Sequence, residues 1–423
     1  MKKVLVITYY WPPAGGPGVQ RWLKFVKYLR DFNIEPIVYI PKNPQYPLVD
    51  KSFVSDIPKD IKVYSNPIFE PYRLASIFSR KKTKRISSGI ISTTDQSVFE
   101  KILLWIRGNL FIPDARRFWV KPSVSYLERL IKKENVDTII TTGPPHSVHL
   151  IGFHLRKLKS INWIADFRDP WTSIGYHKKL KLTTYSKQKH KRLESLVLNR
   201  ADTIIVTSET TKKEFQQLTK KPIAVITNGF DGKRMIGVAL DEKFTISHIG
   251  SMLTGRNPEN LWQVLSELSN EYPHFKKALS LQFIGVVSND VLHSLAQHGL
   301  TGAVEVFDYV PHETALNFQE KSQVLLLVEI DSEDTKGIIP GKLFEYLSAK
   351  RPILGVGPTG WEVKDIVTET NSGAVFGYND TSNLKNVLLN WFEAYKSERL
   401  QIASKNIDQY SRRELTRKLA AYI

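Results

Sequence analysis

The sequence predicts an α/β protein of two Rossmann-like domains facing across a cleft. Three observations carry this. Apolar runs of strand length recur along the chain, separated by segments with helical spacing. The runs are continuous instead of alternating, the pattern of parallel strands covered on both faces. The succession of strand, turn and helix plays twice over 423 residues, enough for two domains of ordinary size.

Residues 4–9 read as the first strand. The loop 11–20, WPPAGGPGVQ, follows, and a helix over about 19–31 carries Trp22, Phe25, Val26 and Leu29 at helical spacing. Residues 37–40 are the second strand. Gly15, Gly16 and Gly18 do not fit GxGxxG, so no dinucleotide is expected there. They let a backbone loop approach a ligand or the opposite domain. Residues 70–122 break the alternation. The basic run 80–85, RKKTKR, precedes a segment of interleaved aromatic and basic residues: Trp105, Arg107, Phe111, Arg116, Arg117, Phe118, Trp119 and Lys121. The run fits a solvated insertion. Together the two also fit an interfacial patch on an anionic membrane, or a grip on nucleic acid.

Regular structure resumes with a helix over 123–135. Strands over 138–142 and 163–166 run into Gly143-Pro144-Pro145-His146 and Phe167-Arg168-Asp169-Pro170-Trp171. Helices over 148–157, 187–199 and 209–217 and strands over 203–207 and 224–226 complete an N-terminal domain, 1–230. Residues 229–243 read as a linker. A second domain, 244–395, opens with a strand over 244–249 that runs into Gly250 and Arg256. A final helix, within 396–423 and spanning 398–419, is expected to pack back towards the N-terminal domain.

The second domain centres on residues 337–354, GIIPGKLFEYLSAKRPIL, after the buried strand 324–328. Gly337 and Gly341 let backbone approach a ligand. Lys342 and Glu345, three apart, share a face of the helix that starts there. A cation for phosphate and a carboxylate for sugar hydroxyls describe a nucleotide-sugar site; an ordinary surface ion pair fits this stretch equally well.

With 60 Lys+Arg against 42 Asp+Glu, the formal net charge is +18, which calls for an acidic partner: nucleic acid, anionic lipid or a phosphorylated substrate. There is no cysteine, which excludes disulfides and thiolate metal sites. The N-terminus MKKVLVITYYWPP reads as a strand entering a core and not as a signal peptide. No apolar stretch reaches the length of a membrane span. A soluble or peripheral protein is expected.

The strand ends in the two halves then supply the candidate site. From the first come Gly16, Gly18, His146, Arg168 and Asp169. From the second come Gly250, Arg256, Gly341, Lys342 and Glu345. Arg256 offers a bidentate grip on phosphate oxygens. His146 also fits a cap or structural histidine, Asp169 a turn residue before Pro170, and Arg256 a loop residue. The acidic cluster 331–334 reads as a solvated loop, not a metal site.

The order of GGPGVQR (15–21), TGPPHSVHLIG (142–152), DFRDPW (166–171), ADTIIVTSE and ITNGFD within 201–231, HIGSMLTGR (248–256) and GKLFEYLSAKRPIL (341–354) resembles family-4 retaining glycosyltransferases of GT-B fold, especially those that build bacterial surface polysaccharides. The resemblance implies a UDP- or GDP-sugar donor on the C-terminal domain and a glycan or lipid-linked acceptor on the N-terminal domain. It further implies transfer with retention, and neither metal nor cofactor. Carried over, Arg256 and Lys342 contact the diphosphate, Glu345 the ribose, and Arg168-Asp169 stands where many relatives have His-Asp; Asp169, Arg168 and His146 are the expected catalytic set. Relatives often show two glutamates flanking seven residues; Glu345 matches the second, and Gly337 stands at the first. Only Arg256 remains where relatives often have an Arg and a Lys. The expected protein is a sugar transferase at the cytoplasmic face of the membrane, with nucleic acid an unexpected partner. The rivals are a nucleotide-sugar epimerase of the same fold and a basic nucleic-acid-binding protein.

Overall fold

A computed structural model describes residues 1–71, 98–158, 160–178, 180–231 and 238–423. The chain divides into two compact units, Met1–Asn228 with Arg412–Ile423, and Gly229–Ser411.

The first unit holds strands β1 (Lys2–Ile7), β2 (Ile34–Lys42), β3 (Lys62–Pro67), β4 (Thr138–Gly143), β5 (Asn162–Phe167), β6 (Thr203–Val206) and β7 (Ile223–Val225). They form one sheet in the order β3-β2-β1-β4-β5-β6-β7, with every neighbouring pair parallel. The apolar runs lack alternation because both faces are covered. Leu5, Ile7 and Ile139 enter one core and Val4, Val6 and Ile140 the other. Each such side chain contributes about 1.5–3 kcal/mol on burial. The strand order reverses between β1 and β4, where ligands bind in open parallel sheets.

The second unit repeats the plan with β8 (Phe244–Ile249), β9 (Leu279–Ile284), β10 (Val304–Phe307), β11 (Val324–Val328), β12 (Ile353–Val356) and β13 (Gly373–Phe376) in the order β10-β9-β8-β11-β12-β13. Its switch point lies between β8 and β11. Phe244 and Ile246 face one core, Leu325 and Leu327 the other. Both units are Rossmann-like, as the sequence pattern predicts.

The structure departs from that pattern in three places. The helix expected over 398–419 is Arg412–Ala420. Before it, Glu398 and Asn406 take left-handed backbone, and the Lys405 amide donates to the Thr370 carbonyl at 2.9 Å instead of to its own helix. Leu415 and Leu419 of the actual helix join the core of the first unit. Edge strand β3, KVYSNP, has no apolar run because its side chains are largely exposed. Within the stretch that breaks the alternation, a helix occupies Val98–Leu110; the basic run 80–85 lies outside the described residues.

Candidate functional site

In the first unit the loop after β1 turns at Gly16, whose φ of 103° favours glycine. This caps the helix Pro17–Tyr28, with proline in its first turn. Gly18 follows because Arg168 occupies the space a side chain would need: a Cβ there would lie 1.4 Å from Arg168 Nη1. Arg168 leaves the end of β5, donates through Nε to the Gly143 carbonyl at 3.3 Å and through Nη2 to the Pro144 carbonyl, and faces the Tyr10 ring. Three loops that the sequence singles out therefore meet at one guanidinium. Gly18→Ala is expected to displace it. Transfer should fall by about a hundredfold or more, as misplaced reacting groups do, while the circular dichroism spectrum stays unchanged.

Asp169 lies beside Arg168. Burial lifts its carboxyl above the ordinary range, and Arg168 opposes the lift. His146 is buried and stacked on Trp171, with ring centroids 4.8 Å apart and planes 4° from parallel. Burial, with His149, His177 and Arg168 nearby adding to it, holds its imidazole well below the ordinary value. The ring is therefore neutral at physiological pH. It stands behind the Gly143 turn, closer to the structural alternative than to an exposed acid or base.

The sequence reading assigned no role to the lock beneath this cluster. Asp166, wholly buried in β5, accepts from Arg21 Nη2 at 2.9 Å, Trp22 Nε1 at 2.8 Å and Thr142 Oγ1 at 2.8 Å. Arg21 Nη1 donates on to the Thr227 carbonyl at 2.6 Å. One carboxylate thus fixes the glycine loop, the end of β4 and the Thr227 turn. The signal in the sequence was an ionisable residue inside an apolar strand, in WIAD.

The aromatic and basic segment divides. Ile102, Trp105, Leu110, Phe118 and Phe69 are exposed, with Phe69 and Phe118 5.6 Å apart edge to face. Arg116 and Trp119, grouped with the interfacial residues on sequence, are instead buried. Arg116 pairs with Glu70 at 3.4 Å and covers the Tyr9 ring, and Trp119 stacks on Tyr39.

In the second unit Gly250, Arg256, Gly341, Lys342 and Glu345 gather on the loops and helix that follow β8 and β11. Gly250, at φ 114°, lets the chain pass Lys342: a Cβ there would lie 2.9 Å from Nζ. Gly341 precedes the helix Lys342–Ala349, and its carbonyl accepts from the Phe344 amide. Arg256 presents Nε and Nη2 to Glu329, both at 3.2 Å, and the buried Glu329 also accepts from the Ile330 amide. Glu345 accepts from His312 Nε2 and Gln319 Nε2, both at 3.0 Å, so its carboxylate is oriented from two sides. Lys342 Nζ donates to His248 Nε2 at 3.2 Å. Burial first, then Arg256, pushes the ammonium down to about 7. Glu329 and His248 escaped the sequence reading, although His248 is a polar residue within the buried strand FTISHI.

The sequence profile of Glycosyltransferase Family 4 matches residues 89–234. No curated protein matches the chain by sequence. Three similar solved structures span the whole chain. A G117R mutant of TarM from S. aureus, in complex with Fondaparinux, alpha-GlcNAc-glycerol and UDP, is 13% identical, with 100% of this chain and 99% of that one covered and a TM-score of 0.58. WaaG, a glycosyltransferase involved in lipopolysaccharide biosynthesis, is 12% identical, with 99% of each chain covered and a TM-score of 0.54. A putative UDP-N-acetylglucosamine 2-epimerase from Listeria monocytogenes is 13% identical, covers 100% of this chain and 95% of that one, and has a TM-score of 0.54. At such identities the likeness is one of fold. Two Rossmann-like units of this kind define the GT-B architecture. Over residues 89–234 of the first unit, the chain is similar to glycosyltransferase family 4.

Proposed function

We propose that the protein is a glycosyltransferase that moves a sugar, with retention, from a UDP- or GDP-sugar to a lipid-linked oligosaccharide in surface polysaccharide synthesis. The observation that carries the reading is the grouping of Arg256, Lys342 and Glu345 beside Gly250 at the strand ends of the second unit. Breaking the sugar–phosphate bond leaves negative charge on the diphosphate. Fixed cations there stabilise the transition state more than the ground state. Glu329 holds the Arg256 fork in place, and Lys342 lies against the glycine backbone. Glu345, oriented by His312 and Gln319, is the acceptor for ribose hydroxyls. In the first unit Arg168 and Asp169 are the groups offered to the acceptor, and His146 supports them from behind. UDP in the TarM structure and lipopolysaccharide synthesis by WaaG accord with this donor and acceptor.

The Listeria relative keeps the epimerase reading in play, and a product test separates the two. Nucleoside diphosphate released from a UDP- or GDP-sugar only when acceptor is present supports transfer. Epimerised nucleotide sugar without acceptor overturns it.

The acceptor's lipid implies work at a membrane, on the cytoplasmic face. Among the described residues no helix is long and apolar enough to cross one. The exposed Ile102, Trp105, Leu110 and Phe118, with Lys101, Arg117 and Lys121 also exposed, combine apolar anchors with cations. Ile102 and Leu110 offer no ring for a base to stack on, whereas all four apolar side chains can enter a lipid interface, which favours lipid. Trp105→Ala with Phe118→Ala is expected to weaken sedimentation with phosphatidylglycerol vesicles about tenfold. Unchanged sedimentation contradicts the assignment of this face.

A further inference from the structure

The loops that leave β2 and β3 enclose a cleft of about 340 Å³, lined by Asn43, Gln45, Ile68 and Glu70. Glu70 forms its floor and is 5% exposed. Its Oε1 accepts from the Tyr9 hydroxyl at 2.6 Å and lies 3.4 Å from Arg116 Nε. Its Oε2 accepts from the Gln45 amide at 2.7 Å, which ties the two loops together. Asn43 directly follows β2 and takes left-handed backbone, φ 55°, which asparagine tolerates.

The rim is uncommitted. The side-chain amides of Asn43 and Gln45 are exposed and make no hydrogen bond among the described residues. Each offers donors and an acceptor, and the Glu70 carboxylate keeps lone pairs to spare after its two hydrogen bonds. Ile68 adds an apolar wall that packs on the core. This set matches a sugar ring, whose hydroxyls both give and take hydrogen bonds and whose C–H faces are apolar. It does not match a phosphate. Phosphate oxygens only accept, the carboxylate repels them, and the neighbouring cation, Arg116, is already paired with that carboxylate.

Ile68 and Glu70 line the cleft, whereas Phe69 between them joins Phe118 on the exposed apolar face. The cleft therefore adjoins the face assigned to the membrane. In the sheet order β2 stands three strands from β5, whose end carries Arg168. That is roughly 14 Å at a strand spacing of about 4.8 Å, further than one sugar ring reaches. We propose that this cleft binds an uncharged pyranose of the acceptor, a unit between its lipid and its reacting end. The proposal rests on the acceptor reading above. It makes the acceptor at least a disaccharide.

Saturation-transfer NMR on the full chain tests it. The probes are the methyl glycosides of glucose, galactose, mannose and N-acetylglucosamine, with UDP-glucose or GDP-mannose in parallel samples. At least one glycoside should receive saturation, and excess UDP or GDP should leave that signal in place. Asn43→Ala with Gln45→Ala should weaken its binding about tenfold or more, at a factor of roughly two to ten for each hydrogen bond lost. Both residues are exposed, so the circular dichroism spectrum and melting temperature should not move. Glucose 1-phosphate should bind no better than methyl glucoside. Saturation of no glycoside, binding that survives the double variant, displacement by UDP or GDP, or a preference for the phosphate overturns the subsite. The nucleotide signals report the donor reading separately: they persist if only the subsite is wrong and are missing if the donor reading is.

Discussion

Asp166→Ala is expected to lower the stability of the first unit by about 3–5 kcal/mol, the loss seen when one partner of a buried ion pair is removed. The reason lies in what remains. Arg21, 1% exposed, would keep its charge without the carboxylate 2.9 Å away. Trp22 Nε1 and Thr142 Oγ1 would each lose a buried acceptor. Urea unfolding followed by tryptophan fluorescence measures the change, since Trp22 and Trp163 sit in this unit. Asp166→Asn keeps the shape but turns an amide towards donors, and should fall between parent and alanine variant. An alanine variant with the parent's midpoint would show that the carboxylate does not lock the three loops.

Lys342→Met is expected to act in the opposite direction on stability while it removes function. The lysine is pushed down to about 7 in the fold from an ordinary 10.5. Between those values the unfolded chain holds the extra proton. Stability therefore rises with pH through that window and is lowest below about pH 7. Methionine keeps the buried length and removes the ionisable group, so the gain is largest at and below neutral pH, about 1–3 kcal/mol for this partly exposed side chain. The slope of stability against pH between 7 and 10 should flatten with it. Donor affinity should fall ten- to a hundredfold, because the charge-assisted bonds to phosphate are gone. A variant no more stable than the parent at pH 6.5 would contradict the burial argument. Undiminished donor affinity would contradict the site.

How much of this was legible in the sequence depends on what each residue does for the chain. Buried parallel strands must be apolar along their whole length, so β1, β4, β8 and β11 announce themselves. β3 lies at a sheet edge, and the sheet asks less of its side chains. Gly18 was singled out as a close approach, but that Arg168 is what approaches is a tertiary fact. Arg116 and Trp119 looked interfacial beside Arg117 and Phe118; a short 3-10 turn, Ala115–Trp119, sends neighbours in opposite directions. Asp166, His248 and Glu329 act through partners far away in the chain. Their only local sign was polarity at or beside a buried strand. The helix over 412–420 was visible, but its start was not, because the preceding backbone's bonds to the Thr370 carbonyl and the Asn371 side chain cannot be read from local propensity.

The claim on which the rest stands is that the second unit grips a nucleotide-sugar diphosphate through Arg256 and Lys342. Its most direct test is the melting temperature of the parent, Arg256→Ala and Lys342→Met in the presence of UDP-, GDP- and dTDP-sugars. A ligand at a hundred times its Kd stabilises the native state by about 2.7 kcal/mol, a rise of roughly 5–10 °C for a unit of this size. The parent should show that rise with one nucleotide class, and both variants should lose most of it. No rise with any class, or a rise that both variants retain, would contradict the account.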